Sequence, residues 1–260
     1  MITSTSNSYV RHIRSLRDDR SSRQSERVFM LEGVRLVSDM LDAGVIPAYV
    51  LFDPEHLAHT AAGQSLLARL YGIAHTYEAT SVAIKAASDT NAPQGVIAVA
   101  ECPELPIPAH DFVLICDEIQ DPGNLGTIVR SAAAVGVDVV YCTPGCVDVY
   151  APKTVRASMG SILRIPIRTD APLASLLPIL TGATIVAADG VDAAIPYTRV
   201  DWQRPHALII GNEAHGISPA ARSIAQHCIA IPMHHGVESL NAAMAATVIL
   251  FEAQRQRGNS

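Results

Sequence analysis

The chain has 260 residues, of which 49% are hydrophobic, 17% charged and 5% aromatic, and its formal net charge is −6. This balance is that of a globular protein long enough for two cores, and it excludes disordered, collagen-like and disulfide-framework classes. The longest apolar run, near Ala242 to Phe251, is about half of what a bilayer requires, so no membrane span is expected.

Cys102, Cys116, Cys142, Cys146 and Cys228 are an odd number scattered through apolar segments, and the stretch from Met1 to Tyr9 is polar. Both features point to a reduced, cytoplasmic protein. Cys142 and Cys146 lack a second close Cys or His pair to complete a tetrahedral set, so no metal is expected.

The acidic total conceals an uneven distribution. Seven arginines (11, 14, 17, 20, 23, 27 and 35) stand against Asp18, Asp19, Glu26 and Glu32 at the start of the chain. A solvated helix laced with ion pairs explains such a run as readily as a nucleic-acid contact does, until a second signal appears.

From Val28, short apolar runs alternate with amphipathic segments: VFMLEG, VRLVSDMLDAG, AYVLFD, a helical stretch through Leu70, SVAIKAA and GVIAVAE. This predicts a small α/β domain over residues 1–101. CPELPIPAH, residues 102–110, carries three prolines and no periodicity, and reads as a linker. A second domain, 111–260, follows. Its runs FVLIC, VDVVYC, TIVAAD, HALIIG and CIAIP are continuous and β-rich, separated by helical stretches, which predicts a mostly parallel sheet covered on both faces. Ligands of such sheets bind beyond the carboxyl ends of the strands. There is no GxGxxG turn, so a nucleotide-like cofactor has to be held in another way.

Three loops there are rich in glycine and polar side chains. DEIQDPGNLGTIVRSAAAVG, starting at Asp117, leads from a strand into a helix for which Asn124 suits the N-cap, with Arg130 about one and a half turns on. LIIGNEAHGIS, starting at Leu208, opens a buried strand into a loop around Asn212, Glu213 and His215. Gly211 and Gly216 there permit close backbone approach. IPMHHGVESLNAAMAATVILFEA, starting at Ile231, predicts a turn at Gly236 and a helix that Ser239 can cap, with Leu240, Met244, Val248 and Phe251 as its apolar stripe. His234 and His235 are adjacent on a loop and do not easily face one point, which disfavours a metal reading.

NLGTIVR, GNEAHG and IPMHHGVESLNAAMA, in this order, resemble the three motifs of the SpoU (TrmH-like) family of knotted RNA methyltransferases. RASMG at Arg156 to Gly160 resembles the family's intermediate segment, and the first domain resembles its RNA-binding module, related to a ribosomal-protein fold. The resemblance implies a deep trefoil knot in the second domain. It implies S-adenosylmethionine as cofactor, held by Ala188, Asp189, Gly190, Gly211, Asn212, Ile231, Met233, Ser239 and Leu240. It implies a homodimer and a structured RNA methylated at a ribose 2′-hydroxyl, with ribosomal RNA favoured over transfer RNA.

The catalytic set implied is Arg130, Asn124, Glu213, Asn241 and Ser239. A guanidinium titrates far above neutral pH, so neutralising it near pH 7 costs on the order of 8 kcal/mol. A general base contributes a factor of at most about 10⁴, or roughly 5 kcal/mol. Arg130 is therefore expected to stay charged, grip an RNA phosphate and stabilise the developing alkoxide. Asn124 is expected to orient the ribose, Asn241 and Ser239 to fix the site floor, and Glu213 to hold the loop and Arg130. Arg11, Arg14, Arg17, Arg23, Arg35 and Arg156 are the expected RNA contacts. Two rivals stay open: a non-catalytic RNA-binding or assembly protein retaining the fold, and a knotted methyltransferase acting on a base nitrogen.

Overall fold

The structure, a computed structural model, describes residues 1–190 and 194–258. The described chain divides into two compact units. One comprises Met1–Pro103 and Tyr150–Leu163, the other Glu104–Val149 and Arg164–Ser260.

The first unit begins with α1 (Ser8–Asp18), capped by the side chain of Asn7, and α2 (Arg20–Glu26), capped by Asp19. There follow β1 (Val28–Glu32), α3 (Val34–Asp42), β2 (Pro47–Phe52), α4 (Pro54–Leu57), α5 (Ala61–Leu70), β3 (Thr76–Glu78), α6 (Ser81–Ala87) and β4 (Val96–Glu101). Its sheet has the order β1-β4-β2-β3, with β4 antiparallel to both neighbours and β2 parallel to β3. Val10, Ile13 and Leu16 recur at helical spacing on α1 and pack with Ala83 and Ile84 of α6 against Met30, Leu51 and Val99.

The second unit contributes β5 (Phe112–Cys116), α7 (Pro122–Ala134) and β6 (Val139–Cys142). Helix α8 (Pro152–Ser158) belongs to the first unit, where Arg156 pairs with Asp89 at 2.5 Å. The second unit resumes with β7 (Ile167–Arg168), α9 (Leu173–Leu176), β8 (Thr184–Ala188), β9 (Ile195–Pro196), β10 (His206–Ile210), α10 (Pro219–Ile224), β11 (His227–Ala230) and α11 (Ala242–Arg257).

The seven strands lie in the order β7-β6-β5-β10-β8-β11-β9, and every pairing is parallel. β5 and β10 are buried along their whole length, which is why they read as unbroken apolar runs rather than alternating ones. β10 lies between β5 and β8, both of which precede it in the chain.

Two helix starts differ from expectation. α7 is capped by Asp121, whose carboxylate accepts from Asn124 N at 2.8 Å, with Pro122 in the first turn. α11 is capped by Asn241 rather than Ser239, since Asn241 Oδ1 takes the N–H groups of Ala243 and Met244. The expected apolar stripe of α11 faces outward, and Ala243, Ala246, Ile249, Leu250 and Ala253 form its buried face. The small inner side chains pack α11 against α7, and the larger Met244, Val248 and Phe251 are exposed.

The far end of α11 is fastened by Arg257, which donates to Trp202 O at 2.9 Å and Arg204 O at 3.0 Å and lies over the Phe112 ring. Trp202 is fully buried, and its indole N–H reaches Tyr197 O at 3.1 Å. Trp202→Ala is expected to destabilise the chain by about 3–5 kcal/mol, because it empties a filled site and orphans a carbonyl. Urea unfolding followed by circular dichroism checks this, and a loss under about 1 kcal/mol contradicts it.

Candidate functional site

Because β5, β10, β8 and β11 are consecutive in the sheet and parallel, the loops leaving their carboxyl ends meet at one edge. A cavity of about 530 Å³ opens there. It is walled by Ala188 at the end of β8 with Asp189 and Gly190 after it, by Ile210 at the end of β10 with Gly211 to Ala214 after it, by Ile229, Ala230, Ile231 and Met233 along and after β11, and by Glu238 to Ala242 leading into α11. Ala245 and Ile249 close its floor from the inner side of α11. The nine residues expected to hold a cofactor all line this space.

The loop after β10 is closed on itself. A Cβ on Gly211 would lie 2.4 Å from the carbonyl of Gly216 and the amide of Ile217, so only glycine fits there. Gly216, at φ +70, donates to Asn212 O at 2.9 Å. Asn212 borders the cavity, but its polar atoms serve the loop. Oδ1 accepts from Ala214 N and His215 N, and Nδ2 donates to Glu118 O at 2.8 Å. Beneath the loop, buried Asp117 accepts from Ser218 N at 2.7 Å and ties β5 to the start of α10.

Asn124, Glu213 and Asn241, which lie in three separate motifs, form one polar chain. Asn241 Nδ2 donates to Asn124 Oδ1 at 2.9 Å, and Asn124 Nδ2 donates to Glu213 Oε1 at 2.9 Å. Glu213 also accepts from the backbone of Gln120 and Asp121. Burial pushes the Glu213 carboxyl up, but the Asn124 amide and these N–H groups outweigh it and hold the group below the usual range. It is ionised at neutral pH.

Arg130 does not join this chain. It is exposed on α7 and forms no ion pair among the described residues, whereas Glu213 is engaged by Asn124 and two backbone donors. The expected Glu213–Arg130 contact is therefore replaced by a Glu213–Asn124 contact. Ser239 lines the cavity but is not a helix cap.

The arginines of the first unit separate into two groups. Arg11 and Arg14 are exposed on α1, and Arg35 is exposed with a loose 3.9 Å pair to Asp39. Arg17 is engaged by Asp18 and by the carbonyls of Ala86 and Ser88. Arg23 is buried, donating to Leu16 O and Arg17 O, which corrects its expected place at the RNA: a guanidinium enclosed to satisfy carbonyls cannot also meet a phosphate. Arg156 is held by Asp89. Among the described residues there is no group of three or more His, Cys, Asp or Glu able to hold a metal, and His234 and His235 sit on an exposed loop.

Sequence reasoning missed Asp117, Ala245 and Ile249. The alanine-rich face of α11 was the available signal for the last two, since small residues on a helix mark a close approach. Asp117 announces itself only as a carboxylate directly after an apolar strand.

Fold and site together define an α/β protein that holds a ligand in a loop-built cavity at the carboxyl edge of a parallel sheet. The SpoU rRNA Methylase family profile matches residues 111–251, and an MRM3-like substrate binding domain profile matches residues 7–98. The chain belongs to the SpoU rRNA methylase family. An uncharacterized tRNA/rRNA methyltransferase of Synechocystis is 35% identical over 98% of this chain and 94% of its own. The 23S rRNA (guanosine(2553)-2′-O)-methyltransferase of Bacillus subtilis is 30% identical over 89% and 90%. The crystal structure of the SpoU methyltransferase AviRb from Streptomyces viridochromogenes, in complex with AdoMet, superposes with a TM-score of 0.83 at 31% identity, covering 98% of this chain and all of the other.

Gly211→Ala forces the loop open. It is expected to destabilise the chain by roughly 1–3 kcal/mol and to raise amide hydrogen exchange across residues 211–217. Unchanged exchange in that segment would mean that the glycine is not needed for closure.

Proposed function

We propose that this chain transfers a methyl group from S-adenosylmethionine to a ribose 2′-hydroxyl of ribosomal RNA, as a cytoplasmic homodimer. The observation that carries the reading is that the second and third motif segments line one cavity, walled mostly by glycine and aliphatic residues, while Asn124 of the first motif is hydrogen-bonded to Glu213 and Asn241 of that wall. Such a wall suits a planar, mostly apolar adenine, whose edge backbone amides can read. AviRb, a structural relative, binds this cofactor, and the Bacillus subtilis relative is a ribose 2′-O-methyltransferase of ribosomal RNA. When bound, S-adenosylmethionine supplies an electrophilic methyl group on a cationic sulfur.

The residues divide the work. The Gly211 loop and the start of α11 orient the donor, and positioning supplies much of the acceleration of an in-line transfer. Asn124, fixed between Glu213 and Asn241, has one amide hydrogen left for the ribose. Ser239 and Asn241 line the wall at the start of α11. Arg130, exposed and unpaired among the described residues, is available to an RNA phosphate and to the developing alkoxide. Arg11, Arg14 and Arg35 on the first unit are available to the phosphate backbone. The first unit thus gathers the RNA and the second carries the reaction. The place of β10 between β5 and β8 is consistent with the knot that the family resemblance implies.

Met244, Val248 and Phe251 recur at i, i+4 and i+7 along α11, and Met244 is 65% exposed. α11 packs on α7 through a Ser131–Thr247 hydroxyl contact of 2.7 Å, so a second copy seated on this stripe would stand beside the helix that carries Arg130.

Incubation with labelled S-adenosylmethionine and ribosomal RNA from cells lacking the protein is expected to label one ribose and make its linkage resistant to alkali. Label on a base, or none, contradicts the reading. Arg130→Lys is expected to lower kcat by about 10²-fold or more while cofactor affinity holds, because the planar fork is lost. Met244→Arg is expected to give a monomer by sedimentation and to lower methylation with it. A dimer of unchanged stability would move the interface elsewhere.

A further inference from the structure

The cavity wall contains a carboxylate whose partner the reaction as proposed does not use. Asp189 directly follows β8, lines the cavity with Gly190, and its side chain is 14% exposed. Its Oδ2 is enclosed and takes no directional hydrogen bond. It is met instead by the guanidinium of Arg222, in the middle of α10, as an ion pair. Arg222 itself is 46% exposed and is not part of the cavity lining. The other carboxylates on the wall differ. Glu213 is held by Asn124 and backbone N–H groups, and Glu238 is exposed on its loop.

We infer that Arg222 is a positioning residue that neutralises Asp189 and thereby sets the balance between binding of the cationic methyl donor and of its neutral demethylated product. The inference rests on the reading of the cavity as an S-adenosylmethionine site. Methyl transfer moves the methyl carbon from sulfur to oxygen. The sulfur keeps the electron pair of the broken bond and loses its positive charge, and the hydroxyl proton leaves. An uncompensated carboxylate on the wall would attract the cation in the ground state and lose that attraction as the charge fades, which raises the barrier. Arg222 removes that attraction while Asp189 stays part of the wall.

The test compares affinities of the full-length protein for S-adenosylmethionine and S-adenosylhomocysteine by calorimetry, in wild type, Arg222→Gln, Asp189→Asn and the double variant. One unmatched charge near the cavity is expected to shift the ratio of the two affinities by about threefold to tenfold. Arg222→Gln shifts it toward the cation and lowers kcat, Asp189→Asn shifts it toward the neutral product, and the double variant returns it to the wild-type value. The shifts shrink as salt rises. A role in shape alone weakens both ligands equally and leaves the ratio fixed, and that result overturns the inference. Wild type binding neither ligand overturns the reading of the cavity itself, which separates the two failures.

Discussion

Strand β10 pairs in parallel with β5 on one edge and with β8 on the other, and the cavity exists because of that placement. Parallel neighbours release their chains on the same side of a sheet. The motif segments after β5, β10 and β11 lie well apart in the chain, yet their loops emerge on the same side of the sheet. The continuous burial of β5 and β10 shows that both faces of the sheet are covered at its centre.

What the sheet brings near, a chain of amides holds in place. Asn241 caps α11 with its oxygen and donates to Asn124. Asn124 donates to Glu213, and Glu213 collects the backbone before α7. Each amide orientation is dictated by its neighbour, so the relay has one direction and ends on a carboxylate held ionised. Such a chain ties three loops together with one charge and leaves spare amide hydrogens facing outward.

Strands and the cavity edge were legible because unbroken apolar runs and glycine-rich loops each have a local physical cause. The helix starts were less so. Asn124 and Ser239 are good capping residues, but Asp121 precedes a proline that fits the first turn and Asn241 presents two acceptor contacts, and sequence alone does not rank such neighbours. The outward stripe of α11 was hidden for a related reason. Methionine, valine and phenylalanine at helical spacing normally mark a core, and here alanines take the inner face. Arg23 shows the same limit, since burial of a guanidinium depends on carbonyls that only the fold assembles.

The arginines therefore fall into classes that composition cannot separate. Arg17, Arg23, Arg156, Arg222 and Arg257 are engaged by carboxylates or carbonyls, while Arg11, Arg14 and Arg130 are exposed. At physiological salt, charges interact over about 8 Å, so an approaching RNA meets local charge more than the chain total of −6. An acidic chain can then bind a polyanion wherever a few guanidinium groups stand clear of carboxylates. α1 meets that condition through Arg11, whereas Arg14 lies within electrostatic reach of Asp18, and the outer side of α7 meets it through Arg130.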